Sequence, residues 1–321
     1  MKVLVVGHIH QDGINLLQAR SHITVEITEA HNESDLVTRV HDADAILVRS
    51  ALITSSIIEA APLLKVVSRH GVGFNSVDVQ ALTARRIPLT IAVGGNAVSV
   101  AEHTLYLILA LAKQGQRYDT AARQGDFSFR NAPIAREIET SELLVIGFGR
   151  IGTQVTRRAL AFGMAVHVYD PYVPDSVIED QGAYFVRNLH DALPQIDVVS
   201  VHCPLNEETK HLIGSYELSL MKPSALLINT ARGGIVDETA LHSVLLQKKI
   251  AGAGIDVFVT EPTNPSLNLL ELENVVVSPH CAGVTVESSA RTARIAAQNA
   301  LDGLDSTLDE VYVVNREVLL H

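Results

Sequence analysis

Gly147-Phe148-Gly149-Arg150-Ile151-Gly152 follows directly on the apolar run Leu143-Leu144-Val145-Ile146, and the next apolar run, Ala165-Val166-His167-Val168-Tyr169, is closed by Asp170. A strand with this continuation has to turn tightly at Gly147. Its backbone has to approach a pyrophosphate at Gly149, and a helix has to pack closely on the sheet at Gly152. Such a helix begins with free N–H groups and the positive end of its dipole facing the phosphates. Asp170 comes about 18 residues after Gly152, at the end of the second strand, where a carboxylate accepts hydrogen bonds from an adenosine ribose and repels a 2′-phosphate. Pro171-Tyr172-Val173-Pro174 contains no Arg or Lys to bind such a phosphate, so the pattern calls for NAD(H) rather than NADP(H).

Outward from this stretch, short β-branched runs alternate with helix-period segments, the pattern of parallel sheets covered by helices. One set of predicted strands covers residues 2–6, 23–27, 45–48, 65–68 and 88–91. A second covers 143–146, 165–169, 197–201, 225–229, 251–255 and 274–277. The glycine fingerprint marks the first strand of its own sheet, so the cofactor domain begins near residue 100 rather than at residue 1. The reading is α/β, with two doubly wound parallel-sheet domains: 1–99 plus 288–321 for substrate, and 100–287 for the dinucleotide. Between the strand sets, Ser99 to Ala112 is apolar on most faces, as for a deeply buried helix or one shared with a second subunit. Thr285 to Leu304 has helical composition, and Val311-Tyr312-Val313-Val314 after it is expected to return to the first domain. The cleft between the two sheets is the expected place for a substrate.

The 321 residues, 47% hydrophobic and 19% charged, suffice for two cores. A formal net charge of −11 argues against nucleic acid or an anionic membrane as partner, since either needs a basic face. No run approaches the length of a membrane span, and Met1 to Gly7 reads as a first strand rather than a signal peptide. Cys203 and Cys281 form neither a disulfide framework nor a metal-ligand spacing, which suits a cytoplasmic location and packing thiols. His8-Ile9-His10 has the spacing of a ligand pair but no third ligand, so no metal is expected.

Three further segments place ionisable groups at strand ends of the cofactor domain: Asn229-Thr230-Ala231-Arg232-Gly233-Gly234, Gly254 to Pro262 with Asp256 and Glu261, and Ser278-Pro279-His280-Cys281. Together with Val48-Arg49-Ser50, His70-Gly71-Val72-Gly73 and Val100-Ala101-Glu102-His103-Thr104, the chain resembles the D-isomer-specific 2-hydroxyacid dehydrogenases over nearly its whole length. The resemblance implies a Rossmann cofactor domain inserted into a flavodoxin-like substrate domain, usually in a homodimer. It implies catalytic roles for Arg232, Glu261 and His280. It also implies cofactor contacts from Thr104, Gly147, Gly149, Arg150, Ile151, Gly152, Asp170, Pro204, Thr230 and Asp256, the last facing the nicotinamide carboxamide.

Those residue types fit the chemistry. Reducing a 2-oxo acid takes a hydride, a proton for the developing alkoxide and a cation for the carboxylate. His280 suits proton donation because imidazole titrates near working pH. Glu261 can hold the other ring nitrogen and fix the tautomer, and Arg232 offers a planar fork of donors to a carboxylate. Taken singly, each has a plainer use, as a turn cap, a loop histidine or half of a surface ion pair; the constellation carries the claim.

For the substrate, the resemblance implies Ser50 and the N–H groups of Gly71-Val72-Gly73, which can bind a carboxylate; the alternative for these glycines is a plain turn. Arg49, Arg69 and Arg130 stand where phosphoglycerate dehydrogenases of this family place basic residues, implying a second anionic group such as that of 3-phosphoglycerate. Each could equally be a solvated surface arginine. His70 stands where a small residue is common, Asn75-Ser76 replaces the usual Asp-Asn, and the chain ends at 321 without the regulatory domain of longer phosphoglycerate dehydrogenases. A glyoxylate or hydroxypyruvate reductase fits the same motifs. So does an NAD-sensing scaffold resembling the corepressors of the superfamily, although the chain lacks long partner-binding extensions. Formate dehydrogenase shares the architecture but places Gln where Glu261 stands.

Overall fold

The computed structural model describes residues 1–30, 32–131, 133–264 and 268–320. The chain divides into two compact units, Met1–Asn96 with Val284–His321, and Ala97–Gly283.

In the first unit β1 (Lys2–Val6), β2 (Thr24–Thr28), β3 (Ala45–Val48), β4 (Val66–Arg69) and β5 (Leu89–Ile91) form a parallel sheet in the order β2-β1-β3-β4-β5, the flavodoxin-like arrangement. β1 shows why both faces must be covered. Val3 and Val5 enter one core with Leu17, Ala293, Ala296 and Leu301, whereas Leu4 and Val6 enter another with Leu36, Ile46, Ile57 and Leu82. The alanines belong to helix Val286–Leu304, which is capped by Thr285 Oγ1 accepting the Ser288 N–H at 3.1 Å. Helix Gln11–Gln18 packs against it so closely that a Cβ at Gly13 would lie 2.8 Å from the Ala293 carbonyl oxygen. The C-terminal segment returns to this unit as expected. Val313 bridges Thr90 in antiparallel fashion, and Asn315 Oδ1 accepts the Leu89 N–H at 2.8 Å, closing the edge of β5.

The second unit holds β6 (Glu142–Ile146), β7 (Ala165–Tyr169), β8 (Tyr184–Phe185), β9 (Val198–Val201), β10 (Leu226–Asn229), β11 (Gly252–Ile255) and β12 (Val275–Val277), in the order β12-β11-β10-β9-β6-β7-β8. Counted from β6, this is the Rossmann order 3-2-1-4-5-6 with a seventh strand on the far edge. The pattern of the sequence predicts six strands; β8, two residues long, is too short to carry a period. Helix Ala97–Ala112 buries Val100, Ala101, Leu105, Leu107, Ile108 and Leu111 against the sheet. Glycine in β11 permits that approach, since a Cβ at Gly254 would meet Leu107 Cβ at 2.9 Å. The helix is not enclosed on every side: Tyr106 is 54% exposed and Val98 is exposed with it. Because all seven strands are parallel, Gly147, Asp170, Pro204, Thr230, Asp256 and Ser278 follow strand ends on one edge of the sheet.

Candidate active site

The glycine turn joins β6 to helix Arg150–Ala161. Gly147 has φ +96°, and a Cβ there would lie 2.8 Å from the Cys203 backbone nitrogen. At Gly152 a Cβ would come within 2.0 Å of the Gly147 carbonyl oxygen, so helix and turn touch through backbone. Among the described residues nothing lies within 4 Å of the corresponding position at Gly149, and no side chain caps the helix that this residue starts. Close packing behind and open space in front are what a pyrophosphate on a helix N-terminus requires. Arg150 is exposed at the helix start, and Ile151 packs partly on the core. Asp170 takes the Phe148 N–H at 2.8 Å on one oxygen and the Tyr172 N–H at 2.9 Å on the other, tying the end of β7 to the glycine turn. A lone pair remains on each oxygen for a ribose hydroxyl.

Thr104 and Thr230 meet through their hydroxyls at 3.0 Å, and Thr104 also donates to the Val100 carbonyl. Thr104 is fully enclosed, so its place is behind the strand end that carries Thr230. Pro204 is exposed, and its carbonyl accepts the Thr209 hydroxyl at 2.6 Å.

Glu261 Oε2 lies 2.6 Å from His280 Nδ1, while Glu261 Oε1 accepts the Phe258 N–H at 2.9 Å. A carboxylate can only accept here, so the proton sits on Nδ1 and Nε2 faces away from the pair. Arg232 follows β10 and is half-buried. Burial pushes its guanidinium below its ordinary value, an effect that the charge of Glu261 opposes. Among the described residues it makes no ion pair, and its Nη1 donates to the Ala231 carbonyl at 2.6 Å. Gly233 joins the two segments, because a Cβ there would lie 2.0 Å from the Phe258 carbonyl carbon. Arg232 and Glu261 are thus brought together by backbone laid on backbone.

Asp256, which is buried, spends its carboxylate on the loop that carries His280. One oxygen accepts the Ser278 hydroxyl at 2.5 Å and the Cys281 N–H at 2.9 Å, and the other accepts the Ala282 N–H at 2.9 Å. Ser278 Oγ lies 2.9 Å from His103 Nε2 and, with its proton given to Asp256, accepts from that ring. The His280 N–H bonds the Asp256 carbonyl at 2.8 Å, and His280 is held at φ +51°, a region that costs a side-chain-bearing residue free energy. Ser278, His103 and Gly233 are thus positioning residues. All three lie inside the motifs quoted from the sequence, which give them no role of their own. His103, Asp256 and Cys281 bring ligand-type atoms within 4.8 Å of one another, but three hydrogen bonds already occupy the carboxylate.

In the first unit, Arg49 and Ser50 follow β3, and Arg69 ends β4. Arg49 Nη1 donates to the His8 carbonyl at 2.8 Å, and the Arg69 guanidinium bonds the His70 carbonyl. Gly71 has φ +144°, and a Cβ on it would approach Arg69 Nη1 to 3.0 Å. His70 is largely buried and is pushed down to about 4, by burial first and then by Arg49 and Arg69. Val72 is exposed and Gly73 half-buried. Arg130 belongs to the second unit, exposed on the 3-10 turn Phe127–Asn131. His10 caps helix Gln11–Gln18 through Nδ1, which accepts the Asp12 N–H at 3.2 Å. Burial raises both thiols, Cys203 to about 11, which leaves them as unreactive thiols near neutral pH.

A strand-turn-helix dinucleotide site beside an Arg, Glu and His set defines a dehydrogenase-like fold, and comparison with known proteins agrees. Residues 105–282 match the model of the D-isomer specific 2-hydroxyacid dehydrogenase, NAD binding domain. D-3-phosphoglycerate dehydrogenase of Methanocaldococcus jannaschii is 37% identical over 97% of this chain, which spans 59% of that relative's length. Glyoxylate reductase of Korarchaeum cryptofilum is 35% identical over 94% of this chain and 92% of its own. The crystal structure of D-lactate dehydrogenase from Aquifex aeolicus, complexed with NAD and lactic acid, superposes with a TM-score of 0.86 at 30% identity, covering 98% of this chain and 99% of that one. The chain belongs to the D-isomer-specific 2-hydroxyacid dehydrogenase family, and residues 105–282 lie in its NAD-binding domain.

Proposed function

We propose that the protein is an NAD(H)-dependent oxidoreductase that interconverts a D-2-hydroxy acid and its 2-oxo acid, with a second anionic group on the substrate. The observation that carries this reading is the Glu261–His280 pair at 2.6 Å with half-buried Arg232 joined to it through Gly233. When bound, the nicotinamide supplies or takes the hydride. In the reducing direction His280 Nε2 gives its proton to the 2-oxo oxygen, while Glu261 holds the proton on Nδ1 and keeps the ring in register. Arg232, short of a carboxylate partner of its own, grips the substrate carboxylate and polarises the adjacent carbonyl; a half-buried guanidinium is worth more there than in water. Asp256 acts twice, holding the His280 loop and presenting the one lone pair left on its second oxygen to the carboxamide. Of the two units, the second is then the cofactor domain and the first the substrate domain. The first would take anionic groups on the Val72 and Gly73 N–H groups, the Gly71 N–H being spent on the Arg69 carbonyl at 2.9 Å, and on Arg49 and Arg69; Arg130, the third arginine of the set, lies in the second unit.

A second reading, reduction of glyoxylate or hydroxypyruvate, is favoured by the glyoxylate reductase that matches over nearly its full length. Exposed Val98 and Tyr106 on helix Ala97–Ala112 leave apolar side chains available to a second copy, and two free thiols suit the cytoplasm. No helix among the described residues is long and apolar enough to cross a membrane. His280→Gln tests the chemical assignment. Turnover should fall by about 10² to 10⁴ while NADH affinity stays within about twofold, because the ring serves the proton and not the dinucleotide. Turnover like that of the wild type would remove His280 from the mechanism.

A further inference from the structure

β6 lies between β7 and β9 in the sheet, so the loops that follow those two strands start about 10 Å apart on either side of the glycine turn. They nevertheless meet: the Tyr172 phenol, in the loop after β7, donates a hydrogen bond to Glu208 Oε2, in the loop after β9. We propose that Tyr172 and Glu208 form a clasp across the adenosine end of the dinucleotide groove, in which Glu208 is a second carboxylate, beside Asp170, that sets NAD(H) over NADP(H). The proposal rests on the reading of this unit as a dinucleotide site.

Both ends of the clasp are built rather than adventitious. The Tyr172 N–H is fixed on Asp170 Oδ1 at 2.9 Å, directly after Pro171, so the acidic residue at the end of β7 aims the ring. In the other loop, Asn206 Oδ1 accepts the N–H groups of Glu208 at 3.0 Å and Thr209 at 2.9 Å. The Thr209 hydroxyl in turn bonds the Pro204 carbonyl at 2.6 Å, so the turn that carries Glu208 is braced from within. Tyr172 is 76% exposed and joins none of the cores formed by the described residues, so beyond its backbone bond to Asp170 it is the bond to Glu208 that holds the ring. The Glu208 carboxylate holds the phenol above its usual range, with Asp170 adding to the effect, so the hydroxyl stays a donor at any physiological pH. Residues 204–209 carry Glu207 and Glu208 and no cation, and Lys210 follows them.

A dinucleotide running along the carboxyl edge from the glycine turn toward Asp170 passes this bond. A phenol held over that path slows escape of the adenosine, and a carboxylate held there repels an added 2′-phosphate. Two substitutions separate the effects. Tyr172→Phe removes the bond and keeps the charge; Glu208→Gln keeps an oxygen that accepts from the phenol and removes the charge. NADH and NADPH affinities are read by fluorescence titration without substrate, and dissociation by stopped-flow displacement, in the full chain. In Tyr172→Phe, NADH dissociation should quicken about three- to tenfold with the NADPH/NADH affinity ratio held within about twofold. In Glu208→Gln, dissociation should stay within about twofold while the ratio shifts about three- to tenfold toward NADPH. Either variant lying within about twofold of wild type in its own readout would overturn the clasp, with the dinucleotide site intact. Failure of the wild type to bind NADH would defeat the dinucleotide reading itself, and the clasp with it.

Discussion

His70 and His202 are the two residues whose surroundings most alter their chemistry. His202 sits under the glycine turn, its Nε2 on the Ser200 hydroxyl at 2.8 Å, and burial pushes it down to about 3. His70 is pushed to about 4 by burial and by two guanidinium groups. Both folded values lie below the ordinary histidine value of 6.5, so the unfolded chain binds protons that the folded one refuses. Their contribution to stability is therefore complete above pH 6.5 and is lost as pH falls toward 4 and 3, at up to about 1.4 kcal/mol per pH unit for each. Denaturant unfolding at pH 7 and pH 5 should show this loss, and His202→Gln, which has nothing to titrate there, should show a shallower one. An equal slope in variant and wild type would contradict the assignment. Residue identities of this kind were only partly legible in the sequence. Arg232, Glu261 and His280 announce themselves because the proposed reaction would need a cation, a carboxylate and an imidazole. Ser278, which acts through Asp256, and His103, 175 residues earlier, announce nothing, because a serine and a histidine have too many ordinary uses.

At the scale of elements, strand cores were readable because a parallel sheet demands unbroken β-branched runs, as in Lys2–Val6 and Ala165–Tyr169. β8 was not, since Tyr184–Phe185 is held to the edge by pairing with His167 and Val168, a tertiary fact without local period. The contact of turn with turn was equally silent. Nothing local in Arg232-Gly233-Gly234 says that Gly233 lies on the Phe258–Val259 peptide, although this brings the Arg and Glu segments together. A methyl group there has to displace one of the two backbones. Gly233→Ala should therefore lower kcat/KM by about 10²-fold or more, since misplacement of about 1 Å costs that much, while NADH binding changes little. Circular dichroism and NADH fluorescence check that the fold and cofactor site persist. Activity within about threefold of wild type would show that the segments need not touch.

For the whole molecule, composition and charge bounded the problem, and the position of Gly147 near the middle of the chain pointed to a cofactor domain interrupting another one. The two sheets are those of two parallel-sheet α/β domains, and the family match falls within the second. Substrate identity is the part least legible, because Arg49 and Arg69 differ from ordinary surface arginines only in their surroundings. His70, next to the glycine turn, adds no charge there near neutral pH. On the proposed reading, Arg49 and Arg69 beside a neutral imidazole would select an acid with two anionic groups over one with a single carboxylate. The most direct measurement is NADH oxidation followed by absorbance with glyoxylate, pyruvate, hydroxypyruvate, phosphohydroxypyruvate and sulfopyruvate at equal concentration. The account predicts turnover with 2-oxo acids and a kcat/KM about tenfold or more higher for the two doubly anionic acids, as one added charge-assisted contact provides. Equal or better rates with pyruvate would reject the role of the arginines, and no NADH oxidation with any of the five would contradict the account as a whole.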